Sequence, residues 1–239
     1  AGEAALALLP RRAAVAAERF RTVEVIPVNA SPAAWEAARY LWHVASRYDS
    51  LADFTLFLHP DVFEHVNPRT LRNVLQALQA GTLRRSGLGS ALARGRPWFE
   101  YLSLSHHYLT RPSRARSPSS NCTDAELGFD ELKLRVFGGD GPLAAAAAPD
   151  SAKLGSFGFY CCSQFLVHRD RVRQRPREWY QRVADSVAWE HCATSYMELL
   201  WHGIFNGGRL HEEKRQERPE LPLFLRVDNF LERTSDGLV

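Results

Sequence analysis

The sequence predicts an α/β protein, a single domain in which helices flank a mixed, mainly parallel central sheet. Strand-like and helix-like segments alternate along the chain, and no internal repeat interrupts them. Two distant apolar runs, Asp53 to His65 and Tyr160 to Asp170, each end in polar, chemically capable residues. Ligands of open α/β sheets sit where strands end, so those ends are the first place to look for chemistry. A length of 239 residues favours one domain and is ample for a large core. Residues 1–21 read as an N-terminal helical extension, 22–206 as the α/β domain and 207–239 as a charged C-terminal segment.

Thr22 to Val28 alternates and is rich in β-branched residues, which predicts a strand stopping around Pro27 and Asn29. Ser31 is an N-cap with Pro32 at the first helical position, and Trp35, Ala38, Tyr40, Leu41 and Val44 line one broad face up to Tyr48. After a turn at Asp49 to Ala52, Phe54 to Leu58 is nearly continuous in apolar residues, as in a central strand buried on both faces. Leu71, Val74, Leu75 and Leu78 then recur at helical spacing between Asn67 and Gly81. Arg84 to Gly95 and Arg111 to Ser120 read as exposed loops, and Gly138 to Pro149 as irregular. Phe157 to His168 is the second strong strand. Asp170 to Ala188 is a long helix that Pro176 must bend or interrupt. Thr194 to Phe205 predicts a further helix, apolar nearly all round, with Glu198 and His202 on one face. Asn206-Gly207-Gly208 ends it, and Leu223 to Val227 is a final short strand.

With 45% apolar residues, 24% charged residues and a net charge of +3, nothing demands a polyanionic partner. The basic residues are almost all arginine, the lysines being Lys133, Lys153 and Lys214, and no interleaved basic and aromatic motif marks a nucleic-acid binder. No run reaches the apolar length of a membrane span, and the alanine-rich start is interrupted by Pro10, Arg11 and Arg12. A start at alanine suggests a removed signal or anchor. The four cysteines, Cys122, Cys161, Cys162 and Cys192, lack the paired spacing of a thiolate zinc site. Asn121-Cys122-Thr123 is a glycosylation sequon, which leans towards a secretory-pathway protein, in the Golgi lumen or secreted, with one disulfide. In a strand, Cys161 and Cys162 would point to opposite faces, unlike a redox pair. His106-His107 reads as a pair of solvated loop histidines.

Phosphate-loop, dinucleotide, nucleophile-elbow and zincin signatures are missing. What remains is His59, Asp61, Glu64 and His65, whose imidazoles and carboxylates suit manganese or zinc. An ordinary polar turn after a strand reads the same way. Glu198 and His202 repeat one half of a helical metal or acid/base pair, against the alternative of a buried ion pair or a satisfied core histidine. A glutamate inside so apolar a helix needs a hydrogen-bond partner or a cleft.

The segment from Ala34 to Leu41, followed by Tyr48 to His59, resembles the core of a domain-of-unknown-function family (DUF3431-like), whose members carry an asparagine, a glycine-arginine-glutamate turn, Tyr-Leu and a strand ending in Phe-Leu. Gln164-Phe165-Leu166-Val167, Arg169, Arg171-Val172, Arg175 to Tyr180 and Glu198 to Phe205 are similar to its C-terminal pattern. The resemblance spans roughly Val25 to Asn206. The family's turn is itself similar to one in A-type-fold glycosyltransferases. This implies a glycosyltransferase A-like domain transferring a sugar from a nucleotide-sugar donor to a hydroxyl of a glycan or protein acceptor. Asn29, Glu36 and Gln164 would line the donor and acceptor sites. Asp61, with His59 or His65, would hold Mn2+ or another divalent cation. Glu198 would be the general base, with His202 as its neighbour or a second metal ligand. The glycine-arginine pair is replaced around Ala33 to Trp35. That departure favours the alternative of a catalytically inactive fold serving as a binding or assembly subunit with protein partners. A metal-dependent hydrolase, needing three converging ligands, ranks last.

Overall fold

The computed structural model describes residues 36–59, 61–80, 99–112, 132, 135–138, 156–188, 196–206, 211–219, 221–227 and 231–234. In chain order its elements are α1 (Glu36–Arg47), β1 (Phe54–Phe57), α2 (Val62–His65), α3 (Pro68–Gln79), β2 (Tyr101–Ser103), β3 (His107–Pro112), β4 (Ser156–Tyr160), β5 (Phe165–His168), α4 (Arg169–Val172), α5 (Arg177–Val187), α6 (Trp201–Phe205), a 3₁₀ turn at Arg215–Glu217, α7 (Leu223–Arg226) and β6 (Leu231–Thr234). The predicted strand at 22–28 and the extension at 1–21 lie outside the described residues.

β5 is the centre of a three-stranded sheet, with all four of its residues buried and β1 and β2 on its two sides. Both neighbours are antiparallel to it, with Phe57 and Ser103 each opposite Phe165. Alternation along the strands divides the core in two. Phe57, Tyr101, Phe165 and Val167 join the first half, and Leu102 and Leu166 the second. α1, α5 and α6 cover the first face; α2, α3 and α7 cover the other. The result is helix, sheet, helix.

The helices form where the sequence repeats at helical spacing. α1 buries Ala37, Ala38, Leu41, Val44 and Ala45. α5 buries Trp179, Tyr180, Val183, Ala184 and Val187, and the two stripes pack on one another. The larger aliphatic side chains among them, Leu41, Val44, Val183 and Val187, each contribute about 1.5–3 kcal/mol when removed from water. α3 starts at Asn67, whose side chain accepts the Arg69 N–H at 2.9 Å, with Pro68 in the first turn. Pro176, extended at φ −69°, ψ 158°, separates α4 from α5, so the predicted long helix is interrupted rather than bent.

The mainly parallel central sheet is not what the described residues form. Every pairing in the sheet of β1, β5 and β2 is antiparallel, and a second sheet, ordered β4, β3, β6, has one parallel ladder, between β3 and β6. Direction is set by which distant segments pair, and β5 lies between β1 and β2 and runs opposite to both. The run from Phe157 to His168 is two strands in different sheets, broken at Cys162 and Ser163, which both take positive φ (75° and 48°). Among the described residues β1 is an edge strand with three half-buried residues, not a doubly buried centre. The predicted strand at Leu223 to Val227 is the helix α7 behind Pro222, an apolar run too short for periodicity to separate the two states. The predicted helix from Thr194 is broken by turns at residues 198–200, leaving α6 as its helical end.

Residues 211–217 tie the two sheets together through a buried polar nest. Glu212 N–H donates to the Gly158 carbonyl at 2.7 Å, and Tyr160 N–H donates to the Glu212 carboxylate at 3.1 Å. The Tyr108 hydroxyl donates to the Glu212 carbonyl at 2.7 Å. Arg215, buried beneath, donates through Nη1 to the Ser103 carbonyl at 2.9 Å and lies 4.6 Å over the Tyr160 ring. Gly158 is required: a Cβ there would collide with the Tyr108 hydroxyl.

Candidate functional site

β1 and β2 run in the same direction on the two sides of β5, so their C-terminal ends and the N-terminal end of β5 share one edge of the sheet. The polar residues collect there. Beyond β1 lies His59; beyond β2 lie Ser105, His106 and His107; before β5 lie Cys161 to Gln164. Leu104 N–H donates to the Gln164 carbonyl at 2.8 Å and Cys161 N–H to the His107 carbonyl at 3.1 Å, which fixes the second and third segments in register. α2 delivers His65. Val66 bridges Ser105, and His106 N–H donates to the His65 carbonyl at 2.8 Å. His65 and His107 meet edge to face at 5.7 Å between ring centroids.

Two acidic residues close the site. Glu36, first in α1, places its carboxylate 2.9 Å from His59 Nε2, without hydrogen-bond alignment, so the contact is an ion pair. Glu198 accepts the Cys162 N–H at 3.3 Å. Behind the link, the Trp201 indole N–H donates to Ser163 Oγ at 2.9 Å. Gln164 is buried, and neither its side-chain oxygen nor its nitrogen has a hydrogen-bond partner among the described residues. A buried amide in that state costs about 1–3 kcal/mol and is a handle for a polar ligand. Cys161 and Cys162 are joined by a disulfide.

The electrostatics split the two histidines on either side of α2. Burial disfavours charge on His59, but the Glu36 carboxylate, with the fields of Glu198 and Asp61, outweighs it and raises its pKa. Burial lowers His65, and the charge on His59 lowers it further. The edge therefore pairs an imidazole whose charged form is favoured with one whose charged form is disfavoured, an arrangement suited to holding an anion and moving a proton.

Glu36, His59, His65, Gln164 and Glu198, all singled out in the sequence, meet at this edge. Asp61 is exposed beside α2 and reaches His59 through its field. His59, Asp61 and His65 do not gather as one ligand set; the described donors that do are His65, His107, Cys161 and Cys162, with all ligand atoms within 4.8 Å of one another. His202 lies in the aromatic core, stacked on Phe159 at 6.4 Å, and the broken helix removes the unbroken face it was expected to share with Glu198. Asn29 falls outside the described residues. Sequence reasoning set aside His106-His107 and Cys161-Cys162, although two doublets of ligating residues were the available signal.

An α/β domain with a half-buried histidine, cysteine and carboxylate site at a sheet edge is the class this geometry defines. Residues 23–218 match the model of a family described as a protein of unknown function (DUF3431), and the chain belongs to that family. No match was found among curated proteins or solved structures. No described helix is long and apolar enough to cross a membrane.

Proposed function

We propose that the chain is a glycosyltransferase-like enzyme that transfers a sugar from a nucleotide-sugar donor to a hydroxyl of a glycan or protein acceptor. One observation carries the reading: Glu36, His59, His65, Gln164 and Glu198 converge at one sheet edge. His59, whose charged form Glu36 favours, offsets charge on the donor diphosphate. The buried Gln164 amide orients a sugar or acceptor hydroxyl. Glu198 takes the acceptor proton when that hydroxyl comes within hydrogen-bond reach. His59, Asp61 and His65 do not form a group of three ligands, so Mn2+ would enter with the diphosphate, and no step is routed through it. The reading concerns the reaction and not an A-type sheet, since the described sheets are mostly antiparallel. The disulfide is in keeping with an oxidising compartment, and the secretory pathway is the proposed setting.

One observation favours the second reading, an inactive binding or assembly subunit: Glu198 is engaged by a backbone N–H of the link itself. Calorimetric titration with nucleotide diphosphates and nucleotide sugars, with and without Mn2+, separates the two. Binding that weakens at least tenfold in His59→Gln and persists in Asp61→Asn is the expected result. Silence across the panel at millimolar ligand leaves the subunit reading standing.

A further inference from the structure

We propose that reduction of the Cys161–Cys162 disulfide opens a four-donor site for Zn2+, made of the two thiolates with His65 and His107. This does not rest on the glycosyltransferase reading. The four donors already lie within 4.8 Å of one another. A tetrahedral Zn2+ with Zn–S of about 2.3 Å and Zn–N of about 2.0–2.1 Å needs donor separations of roughly 3.3–3.8 Å. Parting the two sulfurs and a small inward turn of the rings reaches that range. Two thiolates and two imidazoles are the donor set that selects zinc over the hard cations.

The surroundings are built for it. The backbone bond from Cys161 N–H to the His107 carbonyl locks one cysteine to one histidine, and the bond from His106 N–H to the His65 carbonyl locks the second histidine to the same segment. Ser105 Oγ lies 3.6 Å from Cys161 Sγ, where its hydroxyl can donate to a thiolate, and it also accepts the His107 N–H at 3.0 Å. Glu198 holds the Cys162 N–H. Such outer contacts orient ligands and tune a metal. Cys161 is buried while Cys162, His65 and His107 are half-exposed, leaving a path for reductant and ion.

The chemistry balances with a phosphine or a dithiol as reductant. The S–S bond takes two electrons and two protons, giving two thiols; with a phosphine, water supplies the protons and the oxygen of the phosphine oxide, and with a dithiol its two thiols supply electrons and protons and it becomes the disulfide. Binding Zn2+ then releases both thiol protons and leaves a neutral site of two thiolates, two imidazoles and one dication. Exchange with an oxidised dithiol, which takes up the two electrons and becomes two thiols, re-forms the S–S bond and expels the ion.

Co2+ as a spectroscopic stand-in tests this on the full chain, in a Cys122→Ser, Cys192→Ser background that leaves only the doublet. After phosphine reduction and desalting, one equivalent of Co2+ should give the intense visible bands of a tetrahedral site with thiolate charge transfer in the near ultraviolet. Zn2+ should bleach them, and the unreduced protein should show neither. His107→Gln and Cys162→Ser should each weaken Zn2+ at least tenfold. Weak octahedral cobalt bands, equal binding before and after reduction, or indifference to His107→Gln would overturn the proposal; the comparison of reduced and oxidised parent chains decides it even where a variant fails to fold.

Discussion

Two buried polar constellations sit one turn of chain from each other along β4, and they differ in what surrounds them. Glu212 and Arg215 are buried and bonded to Gly158, Tyr160, Tyr108 and Ser103. The His–Cys edge is half-open, with Gln164 buried and unbonded among the described residues and His59 held by charge rather than by an aligned hydrogen bond. Polar groups bonded across segments of the chain itself hold the fold. Polar groups left open at a strand end are available to a ligand.

Mutation should break the nest first. Arg215→Ala strips the Ser103 carbonyl of its donor and Glu212 of a neighbouring charge, and is expected to cost about 3–5 kcal/mol in urea unfolding. His107→Ala at the open edge should stay within about 1 kcal/mol. Equal losses would erase the distinction.

The nest should also announce itself in pH. Burial pushes the Glu212 carboxyl from its ordinary 4.5 up to about 7, against the pull of the Tyr160 N–H and of Arg218 and Arg215. In that window the folded chain keeps a proton that the unfolded chain releases, so stability is full below 4.5 and falls as pH rises to about 7. The fall should be on the order of 3 kcal/mol and disappear in Glu212→Gln. A flat wild-type profile would remove the buried acid from the account.

Smaller effects sharpen the edge. Trp201→Phe removes the donor to the buried Ser163 hydroxyl and is expected to cost about 1–3 kcal/mol, read by thermal unfolding. Glu36→Gln should lower the His59 pKa, followed by NMR titration, and remove at most about 1 kcal/mol. The sign is that of a raised imidazole: the pair stabilises below about 6.5 and loses its contribution as pH climbs through the folded value. An unmoved His59 in that variant would mean Glu36 is not its partner.

Much of the helical layer was legible in the sequence because a stripe at helical spacing is a local property. α1, α3 and α5 appear where Leu41 and Val44, Leu71 and Val74, and Trp179 and Val183 placed them. Strand direction was not legible, since it depends on which distant segments pair. Of the site, His59 and His65 were visible as polar residues after an apolar run, Glu198 as a glutamate inside an apolar helix, and Glu36 and Gln164 through the family resemblance. His107 and Cys161–Cys162 were passed over because doublets that look like solvated or strand residues in one dimension acquire meaning only across segments about 40 and 50 positions apart.

The sequence by itself determined the helical stripes, the apolar runs that become β1 and β5, the interruption at Pro176 and the polar character of the strand ends, all set by side-chain period and backbone chemistry within a few residues. Only the tertiary structure decided that β5 pairs antiparallel on both sides, that Cys162 and Ser163 turn the chain from one sheet into the other, and that two histidines and two cysteines face one another. Those outcomes depend on long-range pairing, whose energy comes from burying Leu166, Phe165 and their partners together, and no local window contains it.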